Sequence, residues 1–333
     1  MLVTSIGSLP FTEVDRAIDL VFNSCPEVPF SPQLPKRSFY EGMYVQCLEN
    51  IPSVNINEGT GTVFVDTTQT DGIEQFYEDV FNKNTAPFAV SPQAFPGFYR
   101  LLERLAEIRD KVTFVKSQLT GPFTIGMGLK DGNGKPIIYD SAYFDIIKKG
   151  LHMKAEWLIK TIRAAHPDKK VIIFFDEPAM VSFGSAFVSI SKEEAISLFD
   201  EVIEGLDANV GIHCCGNTDW SVLLNTKVDI INYDAFNFMD TLFYFRDELS
   251  AFLERGGRIA PGIVPSSGEA LDPITPADLH ELWRRFKGLL LETAGTEGDE
   301  SIVTTACGLG SLAEGEALKA LDLLSRLPVV TAS

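Results

Sequence analysis

The sequence is short of positive charge. Its 28 Lys and Arg face 46 Asp and Glu across 333 residues, a formal net charge of −18. Each contact to a nucleic-acid phosphate needs a cation, and a field of this sign repels the backbone, so nucleic acid is not an expected partner. No uncharged apolar run reaches ~18 residues, so neither a transmembrane helix nor a membrane partner is expected. The start, Met1-Leu2-Val3-Thr4-Ser5, has no basic stretch followed by a long apolar one, which argues against a secretory leader. Cysteine is scarce and odd in number, at five. That does not suit a disulfide framework and fits a reducing cytoplasm, where a Cys is structural, metal-binding or catalytic. Internal repeats, low-complexity tracts and long linkers are absent as well.

What is present is an ordinary globular balance, 45% apolar and 22% charged, ample for a sizeable core. Short β-rich apolar runs alternate with amphipathic helical patterns. Candidate strands are Val3–Ser8, Thr62–Asp66, Val112–Leu119, Val171–Glu177, Val210–Cys215, Ile230–Asp234, Arg258–Val264 and Ile302–Cys307. Val171-Ile172-Ile173-Phe174-Phe175 is too apolar for a half-exposed strand and suits a parallel sheet covered on both faces. Helical spacing covers Phe11–Phe22, Phe98–Arg109, Ser141–Ala165, Lys192–Leu206, Met239–Arg255, Ala277–Ala294 and Leu312–Leu327. Ser191 and Thr275-Pro276 are start signals for two of these. Strand, crossover helix and strand, repeated, make a parallel sheet. Eight such units predict an α/β fold, a single (β/α)8 TIM barrel spanning 1–333. Residues 25–84 are long for one unit and are expected to form an insertion or cap. A doubly wound open sheet is the alternative, but no G-x-G-x-x-G follows the first strand.

Reactive residues gather at the C-terminal strand ends, the active face of a barrel. One strand runs into Gly211-Ile212-His213-Cys214-Cys215-Gly216, another into Asn232-Tyr233-Asp234, and the last into Thr305-Ala306-Cys307-Gly308. Strand residues i and i+2 share a face, so His213 and Cys215 point together and Cys214 points away. An imidazole, two thiolates and a carboxylate on neighbouring strands suit tetrahedral zinc. A lone H-x-C is weak, because buried Cys is common; Cys307 at a second strand end strengthens the reading. Asp176-Glu177-Pro178 puts two acids at a strand end, where they can bind an ammonium, orient a group or transfer a proton, or simply be solvated beside a turn. Cys25 and Cys47 are expected to be free or buried thiols. His152, His166 and His280 fall in or beside expected helices and are assigned no role.

Together these motifs resemble the C-terminal catalytic half of cobalamin-independent methionine synthase and its relatives, the zinc methyltransferases that carry methyl from a corrinoid protein to a thiol. Thr4-Ser5-Ile6-Gly7-Ser8-Leu9-Pro10 is similar to the family's T-x-I-G-S-F-P, Leu119-Thr120-Gly121-Pro122-Phe123-Thr124 to L-T-G-P-x-T, and Ile173 to Ala179 to I-x-x-D-E-x-A. His213-Cys214-Cys215 matches H-x-C, and Cys215-Gly216-Asn217-Thr218 resembles the C-G-N-T of the corrinoid:thiol branch. Pro261-Gly262-Ile263-Val264 resembles P-G-V-Y/V, and Cys307-Gly308-Leu309 matches the end of D-C-G-L, with Ala306 replacing Asp. The resemblance implies a zinc enzyme that methylates a thiol, homocysteine giving methionine, with His213, Cys215 and Cys307 as ligands. The family's fourth ligand is a Glu, and the aligned residue is Asp234, one methylene shorter, so either Asp234 or a water is expected in the fourth position, to be displaced by the substrate sulfur. The resemblance implies Ser8 and Asp176, with neighbouring Glu177, as acceptor-binding residues. The family's H-G-E-P segment has no counterpart, and residues 25–84 diverge. Nor is there a D-x-H-x-x-G corrinoid motif, so the methylcorrinoid donor is expected free or on a separate corrinoid protein. The R-Q-A-G-R-Y segment of the related uroporphyrinogen decarboxylases is missing too. Lys36 and Arg37 are candidates to hold an acceptor carboxylate or sulfonate, or else solvated loop charges. Alternatives to the main reading are transfer to coenzyme M or another thiol, a barrel that binds corrinoid, metal or thiol without turnover, and a structural zinc site.

Overall fold

The computed structural model describes residues 1–296 and 302–330. Among these, the β-strands are β1 (Leu2–Val3), β2 (Val54–Asn57), β3 (Thr62–Val65), β4 (Phe114–Thr120), β5 (Lys170–Asp176), β6 (Asn209–Cys214), β7 (Ile230–Tyr233), β8 (Arg258–Val264) and β9 (Ile302–Thr305). Seven form one parallel sheet in the order β1-β9-β8-β7-β6-β5-β4. Helices cross between them, and the expected caps are in place. Ser191 and Glu194 form a capping box at Lys192–Ile203, as Thr275 and Asp278 do at Pro276–Ala294. The expected helix Met239–Arg255 is two pieces, a 3₁₀ turn Met239–Tyr244 and a helix Arg246–Glu254, because Phe245 at φ −100°, ψ 58° leaves helical geometry. Among the described residues no helix is long and apolar enough to cross a membrane.

The sheet is curled. Phe114, Ile172, Phe174, Ile230, Ala260 and Ile302 pack with Val28 and Leu2 in one cluster separate from the main core. These side chains come from both ends of the strand order and from its middle, so they can meet only on a concave face. The alternate residues face outward into the core under the helices, among them Val171, Ile173 and Phe175. The two-sided burial expected for Val171–Phe175 is observed.

One expected strand lies elsewhere. Thr62–Asp66 does not join the sheet; β3 pairs antiparallel with β2 as a separate hairpin. The space between β1 and β4 is spanned instead by the extended residues 27–33. Phe114 N–H donates to the Glu27 carbonyl, Lys116 N–H to Pro29, and Ser31 N–H to the Lys116 carbonyl. On the other side Gln33 N–H donates to Gly7 and Leu9 N–H to the Gln33 carbonyl. Pro29 and Pro32 interrupt this segment and carry no N–H, which removes ladder bonds and disguises an extended stave as loop.

Candidate metal centre

β6 ends at His213-Cys214, with Cys215 next. The alternation expected from the strand holds: Cys214 is buried in the outer core, while His213 and Cys215 line a cavity of 340 Å³ at the end of the sheet. Cys307, just beyond β9, lines the same cavity. The ligand atoms of His213, Cys215 and Cys307 all lie within 4.8 Å of one another. No other cluster of metal-binding side chains occurs among the described residues.

The surroundings set the histidine for a metal. Asn232, one strand over, spends its amide hydrogens on the Ala260 carbonyl (2.6 Å) and Thr304 Oγ1 (2.7 Å). Its oxygen therefore faces His213 Nδ1 at 2.5 Å, which places the proton on Nδ1. Nε2 is left with a lone pair, buried and without a hydrogen-bond partner. A buried orphan nitrogen beside two thiols is costly unless something binds it. The set of one imidazole and two sulfurs is the donor chemistry zinc prefers. The residues present thus fit the metal. Within the pair the Cys307 thiol donates to Cys215, which lowers the pKa of Cys215 and, with burial, raises that of Cys307. Replacing Asn232 with Leu should weaken zinc binding about 10–100-fold by freeing the imidazole. Competition with a chelator reads this directly, and unchanged affinity would dismiss the role of Asn232.

Asp176 ends β5 beside His213 in the register. It lines the cavity, and its Oδ1 is buried without a partner. Burial pushes Asp176 up to about 6 against the pull of His213 and Lys116. Ser8 lines the cavity too, and its hydroxyl accepts from Gly310 N–H at 3.3 Å. A Cβ on Gly308 would fall 2.2 Å from that hydroxyl, so only glycine lets the Cys307 turn pass so close.

Two other expected site residues are not brought to the group. Glu177 is fully buried and turned from the cavity. It accepts from Phe123 N–H (2.9 Å), Thr124 N–H (2.7 Å) and the Thr124 hydroxyl (2.6 Å), and burial pushes it up to about 8 against these bonds. Asp234 caps the short helix Ala235–Phe238. Its oxygens accept from Asn237 N–H (2.9 Å) and Asn237 Nδ2 (2.7 Å), and it stands outside the His-Cys-Cys group. Its carboxylate is one methylene shorter than a Glu, and its local helix turn claims it first. Lys36 donates to the Leu312 carbonyl (2.6 Å) and Arg37 to Glu41 (2.7 Å). Cys25 and Cys47 are buried free thiols.

The cavity also holds residues that sequence reasoning missed: Gln33, Glu41, Met43 and Ser311. Glu41 is buried, accepting from Leu34 N–H (3.0 Å) as well as Arg37, and its burial raises its pKa. All but Ser311 sit in the divergent 25–84 stretch, where no periodicity marks them.

No protein-family model and no curated protein matches the sequence. Solved structures do. A methyltransferase from Methanosarcina mazei superposes over 97% of this chain and 93% of its own, with a TM-score of 0.55 and 14% identity. A candidate vitamin-B12-independent methionine synthase from Listeria monocytogenes superposes over 96% and 86%, at 0.54 and 17%. A B12-independent methionine synthase from Shewanella sp. W3-18-1 aligns over 70% of this chain and 66% of its own, at 0.48 and 20%. The chain shares the α/β fold of the first two, which is the kind of fold its motifs imply.

Proposed function

We propose that this chain is a zinc-dependent methyltransferase that moves a methyl group from a methylcorrinoid to a small thiol, with homocysteine the acceptor and methionine the product. One observation carries the reading: an imidazole nitrogen and two sulfurs converge on a cavity whose wall holds an unpartnered carboxylate, Asp176. The fold held in common with a methyltransferase supports it. With residues 27–33 counted as the eighth stave, the chain is one (β/α)8 barrel domain and the cavity opens at its C-terminal face. The rest of the 25–84 stretch supplies one cavity wall.

His213, Cys215 and Cys307 would hold the ion and leave a fourth position for the acceptor sulfur, as in catalytic rather than structural zinc sites. Bound there, zinc supplies the Lewis acidity that favours the thiolate of a thiol whose free pKa is ~8.5. The chain does the positioning. Asn232 holds the tautomer and angle of His213, Asp176 receives the acceptor's ammonium, and the Ser8 hydroxyl stands in the same wall. Asp234, held by Asn237, stands outside this donor set. In the transfer an S–C bond forms, the cobalt–carbon bond breaks, and the thiol proton leaves to solvent. A cavity of 340 Å³ does not enclose a corrinoid, so the donor offers its methyl at the mouth, free or carried on a separate protein.

The cavity wall also selects among acceptors. Apart from the His213, Cys215 and Cys307 donors, its ionisable members are the two acids Asp176 and Glu41, with no Lys or Arg among the described lining residues. That favours a thiol bearing an amino group over one bearing a sulfonate, such as coenzyme M. The test is anaerobic: zinc-loaded protein and methylcobalamin, with homocysteine, coenzyme M and other thiols added in turn while the visible spectrum is followed. Homocysteine is expected to bleach the methylcobalamin bands fastest, and Asp176→Asn to raise its KM about tenfold or more. A zinc-replete sample showing no thiol-dependent change, with free donor or corrinoid protein, would sink the proposal.

A further inference from the structure

The space beneath the cavity holds a whole lysine. Lys116 lies midway along β4 and is 0% exposed. Alternation sets it on the concave face, between Phe114 below and Gln118 above. Its ammonium donates to the Ile6 carbonyl at 2.6 Å and to Gln118 Oε1 at 3.3 Å, and stands 4.6 Å from the centre of the Phe174 ring. Gln118 in turn donates to the Ser31 carbonyl at 2.8 Å. Ile6 and Ser8 line the cavity, and Gly7 between them rests on Gln118: a Cβ there would fall 2.4 Å from Gln118 Nε2. Lys116 and Gln118 together form the underside of this Ile6–Ser8 segment.

A buried ammonium needs an anion nearby. Two titratable groups lie close enough to bear on its charge, Asp176 and Cys25. Cys25 is no anion, because burial pushes its thiol up. Asp176 is the next inward residue above Phe174 on the neighbouring strand. Each of the two favours the charged form of the other. Lys116 does not line the cavity, so it does not touch the acceptor.

We propose that Lys116 is a positioning residue for the acceptor: it fixes the Ile6–Ser8 segment that follows β1 through the Ile6 carbonyl and balances the charge of Asp176, leaving that carboxylate free for the amino group of an amino-acid thiol. This inference rests on the function proposed above. Neutralising the carboxylate from below lets it sit unpaired towards the cavity until the acceptor arrives. Because the ammonium lies behind the wall and not in it, the surface that meets the acceptor presents a carboxylate and no cation, which selects for the amino group.

The test is calorimetric and needs no turnover. Zinc-loaded wild type, Lys116→Gln and Lys116→Met are titrated with homocysteine and with 4-mercaptobutanoate, which keeps the thiol and carboxylate but lacks the amino group. Gln keeps a donor for the Ile6 carbonyl and removes the charge; Met removes both. Lys116→Gln is expected to keep its zinc and its affinity for 4-mercaptobutanoate, and to lose about tenfold or more in affinity for homocysteine. Lys116→Met should weaken both thiols; if it does not fold, Lys116→Gln carries the test. In an Asp176→Asn background Lys116→Gln should add nothing. A wild-type affinity ratio in Lys116→Gln, or a full further loss in the Asp176→Asn background, overturns the role of Lys116 alone. Wild type that binds neither thiol, or binds both equally, overturns the function reading beneath it.

Discussion

A Cys307→Ala chain, purified beside the wild type, is expected to carry almost no zinc and to have lost thiol-dependent demethylation of methylcobalamin. The reason is ligand count. Cys307 is one of three donor side chains within 4.8 Å of one another, and neither Asp234 nor Glu177 stands ready to replace it. Two remaining donors, His213 and Cys215, leave half of a tetrahedral shell to water. A second consequence is electrostatic: Cys215 loses the Cys307 hydrogen bond that does most to hold its thiol down. Metal analysis after dialysis reads the first effect. Zinc-dependent stabilisation reads it again, since an ion bound only by the folded chain raises Tm with its concentration. Cys214→Ala is the control. That sulfur faces the outer core, so its loss should cost a little packing and no zinc. Full zinc in Cys307→Ala would remove the ligand set as drawn.

The second large effect falls on stability, at Glu177. Its neighbour in sequence, Asp176, faces the cavity, but Glu177 ties β5 to the start of the helix Pro122–Gly128. Three donors converge on its carboxylate, two backbone N–H groups and the Thr124 hydroxyl. Glutamine places an NH2 group where only acceptors belong, so at least one of the three is orphaned. Glu177→Gln should cost about 2–3 kcal/mol, and Glu177→Ala about 3–5 kcal/mol, as all three buried donors lose their acceptor. Denaturant midpoints and Tm measure the loss. The folded fraction of Glu177→Gln should keep zinc and its acceptor KM. A raised KM with stability intact would return Glu177 to the substrate.

These two neighbours show where sequence reasoning stops. Alternation along a strand says that Asp176 and Glu177 point apart, and it cannot say which one meets the cavity. The same rule succeeds at His213-Cys214-Cys215, because the middle thiol belongs to the apolar face of a strand already marked by Val210 and Ile212. Cys307 was legible for a similar reason, at the end of an apolar strand before a glycine. The capping boxes at Ser191 and Thr275 were legible because both partners lie within one helical turn.

The failures share a cause as well. Thr62–Val65 has strand composition but finds its partner in the adjacent Val54–Asn57, as a hairpin, instead of in the sheet. Residues 27–33 lack strand composition, yet both neighbouring edges hydrogen-bond to them. Glu41, Gln33 and Met43 carry no local signal, and the spacing that marks Asp234 does not show that Asn237 holds its carboxylate.

By itself, then, the sequence determined the acidic character, the alternation of strand and helix, and the imidazole and two thiols at strand ends. Each depends on residue identity and short-range spacing, which survive without a partner. Only the tertiary structure decided which extended segment lies between β1 and β4, which acid faces the cavity, that Asn232 fixes the tautomer of His213, and that Lys116 lies beneath Asp176. Each of these joins residues from separate strands. Hydrogen bonds and charges of that kind exist only once the sheet has curled and brought its edges together.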